Sequence, residues 1–229
     1  PIRVTRFSNG PVWSEQLFGP AGTFLSSAGT PNVGNIDYAF GGSRTSGAQT
    51  PGPTTAEQIG AYLLRGGSFG AGDVATLWAG ANNIFQGLTV AAANPATAQA
   101  TMTAVATGAA NDVGVQVRQL AAAGARTIIV PNLPGFGTLP QFAGTAASQL
   151  AEFSTATFNG TLAPNLAAAA AANPGTNIIS IDVVNLFAAV QANPAGFGLA
   201  NANQACVLTP SCAANPAVWN SFAFWDGVH

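Results

Sequence analysis

The chain has 229 residues, of which 48% are hydrophobic and only 6% are charged, with a formal net charge of −2. Ordinary soluble domains carry roughly 25% charged residues, so this surface must be built from Asn, Gln, Ser, Thr, Gly and Ala. The 6 basic residues are all Arg and lie scattered, which excludes a nucleic-acid-binding face and a polybasic membrane anchor.

The elements follow in chain order. Ser8-Asn9-Gly10-Pro11 opens a helix over Val12 to Phe18, with Pro at or near the first helical position. Asn35 to Phe40 reads as a short strand ending at Gly41-Gly42. Thr54-Thr55 caps a helix through Leu64, with Glu57 in its first turn. Asp73 to Ala79 is a buried strand ending at Gly80. Asn94-Pro95 opens a long helix that runs to Ala123 and stops at Gly124. Arg126 to Pro131 is β-branched, unbroken and bounded by Gly and Pro, the clearest strand of the chain. A Gly/Pro loop covers Asn132 to Pro140, and a second long helix covers Thr145 to Ala172, with Pro164 as a point of kinking. Asn177 to Val183 is a further strand, followed by a helix over Val184 to Gln191 and a loop-like tail from Asn193.

Strands that are continuous apolar runs, alternating with long helices, predict an α/β fold: a parallel sheet with helices on both faces. No linker or internal repeat divides the chain, so a single domain over 1–229 is expected. The longest apolar stretch, Leu166 to Ala172, is too short to cross a bilayer. The low-charge surface points outside the cytoplasm: secreted, periplasmic or at the cell surface. Cys206 and Cys212 lie in a loop with Pro, Asn and Ser. A disulfide closing so short a loop would stabilise by about 2 kcal/mol; two free buried thiols are the alternative. Two Cys and one distant His do not make a zinc site.

In a parallel sheet, ligands bind beyond the carboxyl ends of the strands. Those positions hold Gly41-Gly42, Gly80-Ala81-Asn82-Asn83, Asn132 and Asp182. His229, the single histidine, lies three residues after Asp226, close enough for a carboxylate to hold its Nδ1–H and leave Nε2 to act as a base. An Asn82 carboxamide and a Gly42 backbone N–H are suitable donors to a developing oxyanion. Each is also what an ordinary strand-to-helix turn would contain. Gly66-Gly67-Ser68-Phe69-Gly70 matches G-x-S-x-G, but a helix precedes it and a strand follows. That inverts the context a nucleophile elbow needs, so Ser68 reads as part of a helix C-cap and turn.

Five segments together carry a resemblance. They are Arg6-Phe-Ser-Asn-Gly-Pro-Val-Trp13, Asp37-Tyr-Ala-Phe-Gly-Gly-Ser-Arg44, Trp78-Ala-Gly-Ala-Asn-Asn-Ile-Phe85, Val130-Pro-Asn-Leu-Pro134 and Phe224-Trp-Asp-Gly-Val-His229. In this order they resemble the SGNH, or GDSL-type, hydrolases. They are most similar to the lecithinase/haemolysin-like branch that includes esterase autotransporter passengers. The resemblance implies a three-layer α/β/α sandwich with a flavodoxin-like sheet, and ester hydrolysis through a serine acyl-enzyme. It implies His229 as catalytic base, Asp226 as its orienting acid, and Asn82 and Gly42 as oxyanion donors, with Gly41 one position away as an ambiguity. Ser43, Arg44 and Phe136 become candidates for substrate contact. No cofactor or metal is implied. The partner is a lipid or small-molecule ester; the chain is expected to be a monomer, with a C-terminal β-barrel anchor in the parent.

Two features depart from the family. Asn83 stands where Asp is common, and no Gly-Asp-Ser occurs anywhere in the chain. The nucleophile is therefore expected upstream of Pro1, with the first strand and last helix lying outside residues 1–229, and these residues alone are expected to be nearly inactive. Two alternatives stand beside the serine esterase, lipase or phospholipase: a non-catalytic binding domain of the same fold that has lost its serine, and a carbohydrate O-acetyl esterase.

Overall fold

A computed structural model describes residues 8–18 and 37–229. Pro1–Phe7 and the stretch from 19 to 36 lie outside it, and with them the start of the Asn35–Phe40 strand and the first residues of the Arg6–Trp13 segment. The helices and strands are, in chain order, α1 (Trp13–Phe18), α2 (Thr55–Leu64), β1 (Val74–Thr76), α3 (Ala81–Ala93), α4 (Ala98–Ala122), β2 (Thr127–Pro131), α5 (Ser148–Ala172), β3 (Asn177–Ile181), α6 (Val183–Ala192), β4 (Asn201–Ala205), α7 (Pro210–Ala213) and β5 (Phe222–Phe224). Their contacts group into two compact units.

One unit comprises Tyr38–Phe136 and Gln149–Val184. Its sheet is parallel, in the order β1-β2-β3, with Thr127 of β2 paired to Val74 on one side and Asn177 on the other. Helices flank the sheet, as the α/β reading requires. The centre strand carries the core: Ile128 and Val130 are buried. Along α4, Met102, Ala106, Ala109, Ala110, Val113, Val117 and Leu120 are buried at three- and four-residue intervals, so one face of the helix is a continuous apolar stripe. Small residues on that stripe let neighbours approach closely. Asn165 of α5 donates from Nδ2 to the Ala110 carbonyl (3.3 Å) and to Asn111 Oδ1 (2.9 Å).

Several expected elements are refined. The Asp73–Ala79 strand pairs only over Val74–Thr76; beyond it, the Leu77 N–H still donates to Ile129 O. Of the Asn35–Phe40 strand, the described part shows a single bridge residue at Asp37 and no ladder over Tyr38–Phe40. The helix expected to open at Asn94-Pro95 begins as a 3-10 turn, Pro95–Thr97, before α4. The Thr145 start moves to Ser148, because Thr145 is held in a turn by bonds from its N–H and Oγ1 to Phe142 O. Helix α5 continues through Pro164. Its missing N–H would have met the carbonyl of Gly160, which adds no Cβ to the crowding.

The other unit draws on the described part of Pro1–Asp37 and on Gly137–Ser148 and Asn185–His229. Long-range bonds tie its segments together. Asn9 Nδ2 donates to Asn220 Oδ1 (2.7 Å), Gln141 N to Gly227 O (2.9 Å), and Gln191 Nε2 to Thr138 O (3.3 Å). The tail expected to be loop contains a small parallel sheet instead. β4 pairs with β5, Asn201 opposite Phe222 and Ala205 opposite Phe224, with a register irregularity between. Cys206 and Cys212 form a disulfide directly after β4.

Candidate active site

The Asp37–Arg44 segment turns sharply. Phe40 O accepts from Ser43 N at 3.1 Å, with Gly42 at φ +84° at the third position of the turn. That left-handed backbone is open to glycine and strained for other residues, and Gly42 is exposed. The segment then runs into the N-terminus of α2. Arg44 O and Thr45 O accept from Thr55 N (2.9 Å) and Ala56 N (3.2 Å). Thr54 is the N-cap of α2, as expected, and the structure adds a reciprocal capping box with Glu57.

The Trp78–Phe85 segment crosses from the end of β1 into α3. Gly80 sits at φ +115° as the N-cap, and a Cβ there would lie 2.4 Å from the Phe158 ring. The two asparagines in the first turn of α3 both face the Gly42–Thr45 loop. Asn82 Nδ2 donates to Ser43 O at 3.0 Å. A carboxamide nitrogen carries two hydrogens, so one N–H of Asn82 is left for another acceptor. Asn83 holds Thr45 from both ends of its amide: Oδ1 accepts from Thr45 N (2.9 Å) and Nδ2 donates to Thr45 Oγ1 (3.0 Å).

Beneath the loop lies a polar framework that sequence reasoning did not identify. Asp112 Oδ2 accepts from Thr45 Oγ1 (2.7 Å) and Ser46 Oγ (2.6 Å). Gln116, one turn further along α4 and 2% exposed, donates from Nε2 to Thr45 O at 2.7 Å and accepts from Thr55 Oγ1 at 2.9 Å. The only signal was the i, i+4 spacing of Asp112 and Gln116, which puts both on one side of α4.

The candidates for substrate contact each make bonds or packing contacts within the fold. Ser43 is buried; its hydroxyl donates to Pro53 O and accepts from Gln58 Nε2, both at 2.7 Å. Arg44 bonds Gln86 Oε1 (2.8 Å) and the Ala48 carbonyl. With Asn83, Gln86 and Asp112 it lines a cavity of about 260 Å³. Phe136 is 2% exposed and stacks on Phe85 with ring centroids 4.8 Å apart. Ser68 is exposed in the turn after α2, where Gly66 N and Gly67 N donate to Leu63 O and Tyr62 O. Asn132 closes the end of the sheet, its Oδ1 accepting from Val183 N (2.7 Å) and Val184 N (3.1 Å), the otherwise unpaired first amides of α6.

The His–Asp pair belongs to the other unit. The 224–229 segment folds back on itself: the amides of Trp225 and Asp226 both donate to His229 O. This brings the imidazole onto the carboxylate, with Nδ1 2.9 Å from Asp226 Oδ2 and 3.1 Å from Oδ1. The amides of Val228 (2.9 Å) and His229 (2.8 Å) also donate to Oδ1. Burial acts to raise the Asp226 pKa, but the Val228 N–H, the His229 ring and the His229 N–H outweigh it and hold the carboxyl below its ordinary value. An ionised carboxylate on Nδ1 fixes the imidazole tautomer and presents Nε2 for proton transfer. Among the described residues no cluster of His, Cys, Asp and Glu could hold a metal ion.

A comparison with curated proteins finds no match. A comparison with protein families matches residues 2–229, essentially the whole chain, to the GDSL-like lipase/acylhydrolase description. With the parallel sheet flanked by helices, that match gives the conclusion: the chain belongs to the GDSL-like lipase/acylhydrolase family.

Proposed function

We propose that this chain is the body of a serine-dependent carboxylic ester hydrolase acting on lipid or short acyl esters, from the lecithinase/haemolysin-like, autotransporter-passenger branch of the family and working outside the cytoplasm. The observation that carries the reading is the Asp226 carboxylate gripping His229 Nδ1 while two backbone amides keep that carboxylate ionised. In the proposed reaction, Nε2 takes the serine proton as the serine oxygen attacks the ester carbonyl. The oxyanion accepts hydrogen bonds from the Gly42 N–H and the remaining Asn82 N–H. Collapse expels the alcohol, which takes its proton from the imidazolium; water then releases the acid by the same steps in reverse order. No serine among residues 1–229 is assigned the attack.

That no Gly-Asp-Ser occurs in the sequence favours a second reading, a non-catalytic domain of the same fold. Turnover of p-nitrophenyl esters of graded chain length, by the gene product that contains these residues, separates the readings. Hydrolysis that falls by a factor of about 10³ or more in His229→Ala supports the esterase. Activity confined to acetate points to a carbohydrate O-acetyl esterase. Absence of turnover on every ester supports the binding domain.

A further inference from the structure

We propose that the disulfide-closed loop from Cys206 to Cys212 is a docking tip that seats this chain on an electrically neutral lipid–water interface. The inference deepens the ester-hydrolase reading and rests on it for the substrate, though not for the binding itself. The loop presents two adjacent apolar side chains to solvent. Leu208 is 75% exposed and Val207 39% exposed; no other large apolar side chain among the described residues of its unit is as exposed as Leu208. Neither is on a frayed end. Cys206 and Cys212 are buried and bonded to each other, Thr209 N donates to Cys206 O (3.0 Å), and Thr209 Oγ1 donates to Ala205 O (2.8 Å). The pair is held outward before anything binds, which lowers the ordering cost of burying it.

Charge decides the kind of partner. From Val183 to Trp225 the sequence contains no Asp, Glu, Lys, Arg or His. Burying the Cys206–Cys212 loop itself therefore strands no ionised group in a low dielectric. The loop also offers no cation to an anionic headgroup, so the interface it suits is neutral. Two half-buried tryptophans stand beside the loop. Trp219 Nε1 donates to Cys212 O (3.1 Å), and its ring meets that of Trp225 edge-on at 5.1 Å. Tryptophan, apolar in body and polar at one edge, favours the boundary between lipid and water. The tip is also continuous with the proposed base: Val207 N donates to Trp225 O (3.0 Å), one residue before Asp226. An ester held in the seated surface is thereby brought to the segment that carries His229.

The test is cosedimentation of the full chain with phosphatidylcholine vesicles, at several salt concentrations. The wild type is expected to bind, without dependence on salt or on added phosphatidylserine. Leu208→Ser is expected to weaken binding by about tenfold. Leu64→Ser removes a leucine that is 90% exposed in the other unit and is expected to bind as the wild type does. Circular dichroism checks that each variant folds. The proposal is overturned if the wild type does not bind, if Leu208→Ser binds equally well, if Leu64→Ser loses as much, or if binding requires phosphatidylserine. It is also overturned if Leu208→Ser instead dissolves a dimer formed without lipid, which would make a second copy of the chain the occupant. Hydrolysis of the graded p-nitrophenyl esters by the gene product keeps the two readings apart: vesicle binding without turnover of any of them removes the esterase and leaves the docking tip.

Discussion

At the scale of single residues, the two neighbouring asparagines of α3 differ in how much of each amide the fold uses. Asn83 spends its amide on Thr45, which is itself fully buried. Asn83→Ala leaves the Thr45 N–H without a partner and should cost about 1–3 kcal/mol of stability, measured by urea unfolding. Asn82 makes one bond to the loop and keeps one N–H. Asn82→Ala should lower kcat by a factor of about 10²–10³ with a much smaller loss of stability, measured on a soluble ester by the gene product. The sign of the Asp226 effect follows from its lowered pKa. Its folded-state value lies below the unfolded one, so the stability it contributes is present above the ordinary aspartate range. That contribution is lost as pH falls through the folded value. Asp226→Asn should remove this acid-side dependence, read from unfolding midpoints across a pH series.

At the scale of elements, glycine conformation sets the entry to α3. Gly80→Ala places a Cβ against the Phe158 ring at a left-handed φ. It should destabilise by about 2 kcal/mol or more, visible as a lower Tm. Much of this level was legible in the sequence, because the signals were local. The β-branched run at Arg126–Pro131 became β2, shortened by one residue at its start, and the Thr54-Thr55 cap became an N-cap at Thr54. The misses share a cause. β4 is Asn-Ala-Asn-Gln-Ala, residues with little strand preference, and its partner Phe222–Phe224 lies well away in sequence. Helix α3 mixes Asn, Gly, Thr and Val, so nothing local announced its length. In the candidate site, the His229–Asp226 pairing could be read because the residues are three apart. The support of Thr45 by Asp112 and Gln116 could not, because packing of a loop on α4, between residues some seventy apart, brings them together.

At the scale of the whole molecule, the chain carries few charges, and its order rests on apolar packing, backbone pairing and one covalent link. Among the described residues no buried side-chain nitrogen or oxygen lacks a hydrogen-bond partner. The two units interleave along the chain, which is why a reading from end to end finds no boundary. Reducing the Cys206–Cys212 bond should cost about 2 kcal/mol, seen as a lower unfolding midpoint in dithiothreitol than without it. The proposed activation of a serine by His229, oriented by Asp226, can be read from the intact mass of the gene product after a fluorophosphonate probe, with peptide mapping of the adduct. One adduct per chain is expected, on a serine other than Ser68, that disappears in His229→Ala. An adduct on Ser68, or one that forms equally well without His229, would contradict the proposal.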